Sequence, residues 1–536
     1  MPTVDSTEPK GDQSFTLDYP EAELVFGVVC AVGTDYRPVR DFLKDQIRLS
    51  GYAPNELHIS DHLPEIAEKL NLGLTFPSAP EYARIDSRMK AGNLVRGKTE
   101  MAEFLALDGS SRIYSTRPGS ESGDPAAHKR TAHLLISLKR PEEVETLRKI
   151  YGPGFFLIGI FAGEQDRTNF LVKEKGMTAG EAASLIQRDQ EEEEEFGQRT
   201  RDTFKLADVF VGLKDGEYKA GLWRFLRLVF GHPFTTPTRD EHAMFLAYAA
   251  SLRSSAPQRQ VGAAITCAHG DVIAVGCNDV PSPAGGLYWE SDPNDARDHK
   301  REPPVDSNDV RQQQIIDDFV RVLSKELLAG LGEEDLLAKA RPLLGKTLVS
   351  EVTEFGRSVH AEMDALISAG RSGVSFRGAT LYTTTFPCHT CTRHIVAAGI
   401  KRVVYIEPYP KSLAGELHAD AIRLVGDEMA RSQADVGKEN RIPFEPFLGI
   451  GPRRYFDLFS LRLSSGYVIK RKEKDGRLVV WNQQHDSKPR VPMAATSYLE
   501  REQYVTRSVY KRIEEKRNAR KTDPRSEARP AVLGNG

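Results

Sequence analysis

Two short segments carry residues whose types and spacing could do chemistry. The first reads FPCHTCTRH (386–394) and places Cys388 three residues before Cys391. The second reads RSVHAEMDALISAG and places His360 two residues before Glu362. Taken alone, the cysteine pair fits a redox pair, part of a zinc site, or two packing residues on a helix. The upstream histidine and glutamate bear on which interpretation is right.

A catalytic zinc site explains both segments together. Such a site needs three protein ligands and one open position for water, and His360, Cys388 and Cys391 supply the three. The cysteines lie at the predicted N-terminus of a helix, where they share a face and the helix dipole favours thiolate. Glu362 is the predicted catalytic residue, because it can move protons beside the metal without being a ligand. The sequence therefore predicts Zn²⁺ as the cofactor.

Two other interpretations of the motif stay open. A redox C-x-x-C pair usually follows a strand of a thioredoxin-like unit and needs no histidine and glutamate as partners. A structural zinc site needs a fourth ligand. His389 and His394 are nearby, although their predicted helical faces suit solvent or packing better.

Length and composition exclude several classes of protein. A chain of 536 residues predicts two or three domains, and no apolar run approaches the ~18 residues of a membrane span. The formal net charge of −3 gives no basic footprint for long nucleic acid, so small molecules are the expected ligands. The polar N-terminus lacks a secretory pattern, and five cysteines, an odd number, predict reduced thiols. We expect a cytoplasmic protein that does not bind membranes.

Apolar strands that alternate with helical patterns predict an α/β fold in two parts. Residues 1–20 are predicted to be a disordered leader, and 21–235 a parallel-sheet domain of the P-loop NTPase type. From 236 to 445 the predicted order α-β-β-α-β-α-β gives a second sheet covered by helices. Residues 446–536 form an extension to which the sequence assigns no role. Its last part, from Arg501, is expected to be a solvated helix with a basic tail.

Two segments match the glycine-rich loops that hold phosphate. GNLVRGKT (92–99) has the Walker A spacing, but the segment before it is polar with helical spacing, so we expect a chance match. GVVCAVGTD (27–35) follows a predicted strand and precedes a helix, and its candidate nucleotide-binding residues are Gly27, Gly33 and Thr34. Because this loop lacks the lysine, we expect a degenerate domain that binds a nucleotide without transferring phosphate.

The combined H-x-E and P-C-x-x-C pattern is that of the zinc deaminases. The segment SLRSSAPQRQVGAAITCAHGDVIAVGCNDVP, with HAEMDAL and TTTFPCHTC after it, resembles the deoxycytidylate (dCMP) deaminase family. The resemblance implies a cytidine deaminase-like α-β-α domain over 236–445 and a contact of Asn278 with the sugar and base. Arg253 and Arg259 are candidates for the substrate phosphate, because a guanidinium fork matches phosphate oxygens. Thr384 is a candidate for positioning the base.

The first domain resembles the phosphate-loop nucleotide kinases of the dephospho-coenzyme A kinase and deoxynucleoside monophosphate kinase type, through ISLKRPEEVETLRKIYGPGFFLIGIFA and FGQRTRDTFKLADVFV. Joined to the dCMP-type half, and with YWESDPNDARD and YIEPYPKSLAGELHAD, it resembles the bacterial antiphage dCTP deaminases. That resemblance implies deamination of dCTP and dCMP, which lowers the deoxycytidine nucleotide pool during infection. It also implies a homo-oligomer, a nucleotide at the N-terminal domain, and an inhibitor, RNA or a small molecule, that holds the enzyme silent.

Three other functions stay open on the residues alone. One is a housekeeping dCMP deaminase that supplies dUMP for thymidylate synthesis. A second is an editor of cytosine or adenine in nucleic acid, which the acidic balance of the chain disfavours. The third is a nucleotide sensor that uses a deaminase fold without catalysis.

Overall fold

The computed structural model of the chain describes residues 21–190, 195–327, 333–344, 347, 355–409, 412–426, 440–462 and 467–518. The predicted disordered leader, 1–20, and the end of the basic tail, 519–536, lie outside the described residues. None of the helices in the described part has the length and apolar character that a bilayer crossing demands.

The described strands, in chain order, are β1 (Leu24–Cys30), β2 (Ala53–His58), β3 (Thr131–Ile136), β4 (Phe155–Phe161), β5 (Val209–Gly212), β6 (Gly262–Thr266), β7 (Val272–Cys277), β8 (Thr380–Thr385), β9 (Arg402–Glu407), β10 (Ile422–Leu424), β11 (Ile442–Pro446) and β12 (Gly449–Ile450).

The described α-helices are α1 (Arg37–Leu49), α2 (Leu63–Lys69), α3 (Glu81–Thr99), α4 (Phe104–Ser115), α5 (Pro141–Tyr151), α6 (Glu164–Asn169), α7 (Ala179–Gln190), α8 (Thr200–Phe204), α9 (Tyr218–Val229), α10 (Arg239–Ser251), α11 (Ser307–Leu327), α12 (Glu333–Leu344), α13 (Ala361–Arg371), α14 (His389–Ala397), α15 (Ala414–Leu417), α16 (Tyr455–Phe459), α17 (Gln483–Asp486) and α18 (Ala495–Asn518).

The chain divides into two compact units. Unit 1 comprises Met1–Thr236 together with Leu448–Gly536, and unit 2 comprises Pro237–Phe447. The C-terminal segment, expected as an extension without a role, is thus part of the first unit.

The sheet of unit 1 has the strand order β12-β5-β4-β1-β3-β2. Its five N-terminal strands run parallel, and β12 pairs antiparallel with β5 at one edge. The strands β1, β3 and β4 are apolar and almost wholly buried, as central strands with helices on both faces must be. Their carboxyl ends open onto one edge of the sheet, which is where open α/β sheets bind ligands.

One face of α18 is buried in unit 1, so the expectation of a solvated helix from Arg501 is wrong for that face. The buried residues recur at helical spacing: Tyr498, Glu502, Val505, Val509 and Ile513. Arg117, just after α4, ion-pairs both with Glu502 (2.6 Å) and with Glu23 (2.8 Å). The apolar row and this ion pair together anchor the helix, although the segment's overall composition is basic.

The sheet of unit 2 has the strand order β10-β11-β9-β8-β6-β7. The strands β10, β11, β9 and β8 run parallel, whereas β6 pairs antiparallel with both β8 and β7. The helices α10 and α13 pack on β6 and β7. The predicted α/β class is confirmed, with a parallel sheet in the first unit and a helix-covered sheet in the second.

Candidate functional site

Two helix N-termini in unit 2 bring the predicted metal ligands together. The helix α13 begins directly after His360, and Cys388 is the N-cap of α14, which follows β8. Gly276 of β7 lets α13 pack closely, because a Cβ at this position would collide with the backbone of Ala361. The sheet therefore fixes both helix starts on the same side of the unit.

The donor atoms of His360, Cys388 and Cys391 lie within 4.8 Å of one another. Nδ1 of His360 is 3.4 Å from Sγ of Cys388 and 3.3 Å from Sγ of Cys391. Tetrahedral zinc, with bonds of about 2.0 Å to nitrogen and 2.3 Å to sulfur, places such donors roughly 3.5 Å apart. These three residues can therefore hold a zinc ion. Among the described residues no fourth His, Cys, Asp or Glu donor, His389 and His394 included, joins them.

The pKa values of the two thiols shift in opposite directions. A hydrogen bond from Cys391 lowers the pKa of Cys388 to about 4, and the same contact raises the pKa of Cys391. A hydrogen bond with Cys388 raises the pKa of His360 to about 8. The backbone N–H of Cys391 also donates to Sγ of Cys388 (3.4 Å). The cluster thus already favours a thiolate, the form of cysteine that binds metal.

Glu362 lies in the first turn of α13 and is 4% exposed. Its Oε2 is 3.5 Å from Sγ of Cys391, and it lines the same cavity as His360 and Cys388. Burial raises the pKa of its carboxyl group. A carboxyl beside the donors, but outside their group of three, suits proton transfer rather than metal binding.

A cavity of about 210 Å³ opens beside the donor group, and two predicted substrate residues line it. Oδ1 of Asn278 accepts from the backbone N–H of Val261 (2.7 Å), and its Nδ2 donates to the carbonyl of Arg259 (2.9 Å). Arg259 ion-pairs with Glu407 (3.5 Å), yet its side chain is 48% exposed. The structure thus brings Asn278 and Arg259 to the cavity, and Asn278 holds the backbone that presents the arginine.

The other two predicted substrate residues do not line this cavity. The guanidinium of Arg253 lies 3.5 Å from the ring centroid of Trp289 and donates to two backbone carbonyls (3.1 and 3.2 Å). Oγ1 of Thr384 accepts from the backbone N–H of Gly262 on the neighbouring strand (3.1 Å). Both side chains therefore brace the unit, because their polar groups face its own backbone.

Several cavity residues were missed from the sequence. Arg357 lines the cavity with its side chain 31% exposed, and its Nη1 donates to Asp298 (2.6 Å) and to a backbone carbonyl (2.9 Å). Its place three residues before His360 was a usable signal, since it must lie near the metal ligands. Asp298 and Asn308 also line the cavity, but their polar stretch (281–309) has no periodic pattern that could have revealed them.

In unit 1 the three predicted nucleotide-binding residues, Gly27, Gly33 and Thr34, do not all lie in the loop after β1. Gly27 lies inside β1, where a Cβ would press against Leu138 and Phe155, so it serves packing and not the loop. Gly33 and Thr34 lie in the loop that follows β1, with Gly33 at φ +84°. The Walker A string (92–99) lies within α3, which confirms that it is a chance match.

The loop after β1 is closed by groups of the chain itself. Oδ2 of the buried Asp189 accepts from the backbone N–H of Val32 (2.7 Å), and its Oδ1 accepts from Nζ of Lys139 (2.7 Å). The backbone N–H of Thr34 donates to the carbonyl of Ala31 (3.1 Å). The carboxylate of Asp189 thus accepts hydrogen bonds from the Val32 N–H and from Lys139, two groups that a bound phosphate would otherwise contact.

The comparison with protein families concerns unit 2. Residues 237–407 match the cytidine and deoxycytidylate deaminase zinc-binding region. Unit 2 carries a deaminase-type zinc-binding region. The three predicted ligands and Glu362 all lie within the matched residues.

Curated relatives match the chain over short stretches. The deoxycytidylate deaminase of Enterobacteria phage T2 is 42% identical over 71 residues, which are 13% of this chain and 37% of the relative. ComE operon protein 2 of Bacillus subtilis is 45% identical over 53 residues (10% and 28%), and the deoxycytidylate deaminase of Saccharomyces cerevisiae is 51% identical over 51 residues (10% and 16%). The matched stretches thus span little more than a third of the first relative and less of the other two.

Solved structures show only distant likeness. The dCMP deaminase of cyanophage S-TIM5, in complex with dCMP and dUMP, is 19% identical with a TM-score of 0.22, covering 40% of this chain and 98% of the other. A gluconokinase from Sinorhizobium meliloti 1021 is 14% identical with a TM-score of 0.21, covering 39% and 94%.

Proposed function

We propose that unit 2 catalyses the hydrolytic deamination of deoxycytidine nucleotides, dCMP and dCTP, to the corresponding deoxyuridine nucleotides and ammonia. The observation that carries the proposal is the group of His360, Cys388 and Cys391 with the buried Glu362 beside it, at one end of a cavity that arginines also line. The relatives named deoxycytidylate deaminases support a deoxycytidine nucleotide as the substrate.

His360, Cys388 and Cys391 would hold a zinc ion, which would lower the pKa of a water for attack on the amino-bearing carbon of cytosine. The residues of the chain do the rest. Glu362 takes one proton from the attacking water and passes it to the ring nitrogen; it then takes the hydroxyl proton of the tetrahedral adduct and passes it to the amine, so that the C=O bond forms, the C–N bond breaks and ammonia departs. Its burial keeps competing solvent protons away and raises its pKa, which helps it to hold a proton between these steps.

The remainder of the cavity is suited to bind a nucleotide. Phe386 and Tyr409 contribute aromatic rings to the wall, and Asn278, which also lines the cavity, donates to the backbone carbonyl of Arg259. Arg259 and Arg357 are each held by a carboxylate but keep an exposed part, so both can contact phosphate oxygens. Both cations would bind the acidic end of the substrate while its base reaches Glu362.

A substrate panel tests this proposal. Purified protein is incubated with dCMP, dCTP, CTP, cytidine and single-stranded DNA, and the released ammonia and the uracil-containing products are measured, with Glu362→Gln as the control for contaminating activity. We expect product from dCMP and dCTP only. Release from dCMP alone would favour the housekeeping role in thymidylate synthesis, and release from single-stranded DNA would favour an editing enzyme. No ammonia from any substrate would overturn the proposal.

The proposal extends to phage defence, through the resemblance to antiphage dCTP deaminases. Depletion of the deoxycytidine nucleotide pool would then limit phage DNA synthesis. Cells that carry the wild-type gene or the Glu362→Gln gene are infected, and dCTP and dCMP are measured over time. We expect a fall in both only with the wild-type gene, and an equal pool in the two strains would contradict this role.

A further inference from the structure

A buried carboxylate lies just behind the wall of the cavity in unit 2. Asp279 comes directly after Asn278, beyond the end of β7, and is 2% exposed. It does not line the cavity, but its side chain and its backbone are bonded to segments that do. An acid in this place can act on the site by placing the groups that contact the substrate.

The first contact of Asp279 fixes the segment that carries Arg259. Its Oδ2 accepts from the backbone N–H of Ser255 (3.0 Å), and its Oδ1 accepts from the hydroxyl of Ser255 (3.1 Å). Residues 256–259 follow and line the cavity. At the other end of this segment, Nδ2 of Asn278 donates to the carbonyl of Arg259 (2.9 Å). Two adjacent residues therefore hold the segment at both ends.

The second contact of Asp279 reaches the segment that holds Arg357. Nη1 of the buried Arg297 lies 3.8 Å from Oδ2 of Asp279. The two residues beside Arg297 in the chain both accept from Nη1 of Arg357, through the carbonyl of Ala296 (2.9 Å) and the carboxylate of Asp298 (2.6 Å). The carboxylate of Asp279 thus bears on the position of Arg357 as well.

The third contact is made by the backbone of Asp279. Its carbonyl accepts from the backbone N–H of Val359 (2.9 Å) in an antiparallel bridge. Val359 directly precedes the metal ligand His360. Because a change of side chain leaves this carbonyl in place, a variant at position 279 can disturb the two arginines without releasing the segment that carries the ligand.

The two arginines need such support to bind a phosphate together. Arg259 and Arg357 lie on separate segments, and their side chains are 48% and 31% exposed. A guanidinium contributes its full share to phosphate binding only when its N–H groups face the oxygens, so the spacing of the two forks matters. Both segments are bonded to the carboxylate of Asp279, either directly or through Arg297.

We propose that Asp279 is a positioning residue that sets the spacing of Arg259 and Arg357 and thereby determines how tightly the site holds the substrate phosphate. This inference rests on the function proposed for unit 2, because it takes the substrate to be a nucleotide. The side chain of Asp279 bonds to Ser255, Val280 and Arg297, so it acts through the arginines and not on the reacting atoms.

Asp279→Asn tests the role of the carboxylate, because it keeps the shape of the side chain and removes its charge and one acceptor. With dCMP we expect KM to rise about tenfold, as on loss of a charge-assisted hydrogen bond, and kcat to stay within about threefold. Bound zinc should stay at the wild-type amount. Arg297 keeps its ion pair with Asp295 (2.6 Å), so the variant is expected to fold, and its thermal unfolding is measured alongside.

Asp240→Asn is the matched control. Asp240 is also a carboxylate of unit 2 that is bonded to an arginine, Arg402 (2.9 Å), but neither Arg402 nor its other partner, Tyr382, lines the cavity. The control should leave KM for dCMP unchanged. An equal rise of KM in Asp279→Asn and Asp240→Asn would overturn the inference, as would a fall of kcat in Asp279→Asn without a rise of KM.

A double-mutant cycle shows whether Asp279 acts through the arginines. In a protein that carries Arg259→Gln and Arg357→Gln, Asp279→Asn should change kcat/KM by less than about threefold, because the groups that it positions are gone. An equal effect with and without the two arginines would overturn the inference. If Asp279→Asn does not fold, Ser255→Ala takes its place in the cycle: it removes one hydrogen bond to the same carboxylate and should raise KM about threefold, and an unchanged KM would contradict the inference.

Binding of the product dUMP separates a failure of this inference from a failure of the proposed function. If the wild-type protein releases no ammonia from dCMP, the proposed function fails, and the affinity for dUMP, measured by calorimetry, replaces KM with the same expected ratios. If the wild-type protein turns over dCMP but the cycle is additive, the inference alone fails. Absence of dUMP binding by the wild-type protein would overturn the inference as well.

Discussion

Replacing Arg117 by methionine probes the most deeply buried charges of unit 1. Arg117 ion-pairs with Glu23 (2.8 Å) and with Glu502 (2.6 Å), and all three side chains are 0% exposed. Methionine keeps much of the volume but removes the cation, which leaves two buried carboxylates without their cation. Breaking a buried ion pair from one side costs about 3–5 kcal/mol, so Arg117→Met should lower the free energy of unfolding of unit 1 by about that amount.

The pKa of Glu23 gives a second value for the free energy that the same ion-pair cluster contributes to folding. Burial alone would raise this pKa, but the hydrogen bond with His133 and the charge of Arg117 outweigh burial and hold it at about 2, below the ordinary 4.5. Since one pKa unit corresponds to about 1.4 kcal/mol, the shift contributes roughly 3 kcal/mol above pH 4.5. That contribution is lost as the pH falls from 4.5 through 2. The effect of Arg117→Met should therefore be smaller at pH 3.5 than at pH 7, by about 1 kcal/mol.

Urea unfolding in a Trp289→Phe background provides the assay. Of the three tryptophans, only Trp289 belongs to unit 2, so the fluorescence of Trp223 and Trp481 then reports unit 1 alone. The matched control is Arg477→Met, in the same unit.

Arg477 also pairs with an acid, Asp475 (2.7 Å), but the two side chains are 83% and 50% exposed. An exposed pair contributes less than about 1 kcal/mol. Equal destabilisation by Arg117→Met and Arg477→Met, or an effect of Arg117→Met that does not change between pH 7 and pH 3.5, would refute the reasoning from burial.

Three further predictions concern unit 2. Arg357→Gln should raise KM for dCMP about 10- to 100-fold and leave kcat within about threefold, because a charge-assisted hydrogen bond contributes about 1.5–3 kcal/mol. Steady-state kinetics measure both constants. An equal rise of KM in the control variant Arg393→Gln, whose side chain is exposed, would contradict the prediction. Asn278→Ala should raise KM and lower the free energy of unfolding of unit 2 by about 1–3 kcal/mol, because the Val261 N–H and the Arg259 carbonyl lose their partner. Urea unfolding in a background with Trp223→Phe and Trp481→Phe, in which only Trp289 fluoresces, measures the change, and unchanged stability would count against the anchoring role. A zinc chelator should lower the unfolding temperature of unit 2 by about 5 °C or more and leave that of unit 1 unchanged, because the metal binds its three ligands only in the folded unit. Calorimetry separates the two unfolding transitions. A shift confined to unit 1 would contradict the metal assignment.

The zinc ligands could be predicted because their spacing is dictated by local chemistry. A cysteine at a helix N-cap and another three residues later share a face, and a histidine just before a second helix can meet them once the sheet aligns both helix starts. The strands β1 and β3–β9 were equally accessible, because apolar or β-branched runs bounded by turns leave few other interpretations. The strands β2, β10, β11 and β12 were not predicted, because β2 (APNELH) is largely polar and the other three are short.

The features that were missed depend on tertiary contacts. Nothing in the sequence near Asp189 indicates that its carboxylate closes the loop after β1, since the two segments are 157 residues apart. Arg253 and Thr384 have side chains suitable for a substrate, but the fold directs them to backbone groups of unit 2. The burial of α18 could have been recognised from the spacing of Val505, Val509 and Ile513, which its basic composition obscured.

The central claim is that His360, Cys388 and Cys391 hold a zinc ion while Glu362 moves the protons. Its most direct test measures bound zinc and dCMP turnover in one preparation of Glu362→Gln and in the wild-type protein. We expect about one zinc per chain in both proteins and a kcat at least about 10³-fold lower in the variant, in line with the contribution of a general acid–base group. Wild-type turnover by the variant, or loss of its zinc together with its activity, would contradict the account.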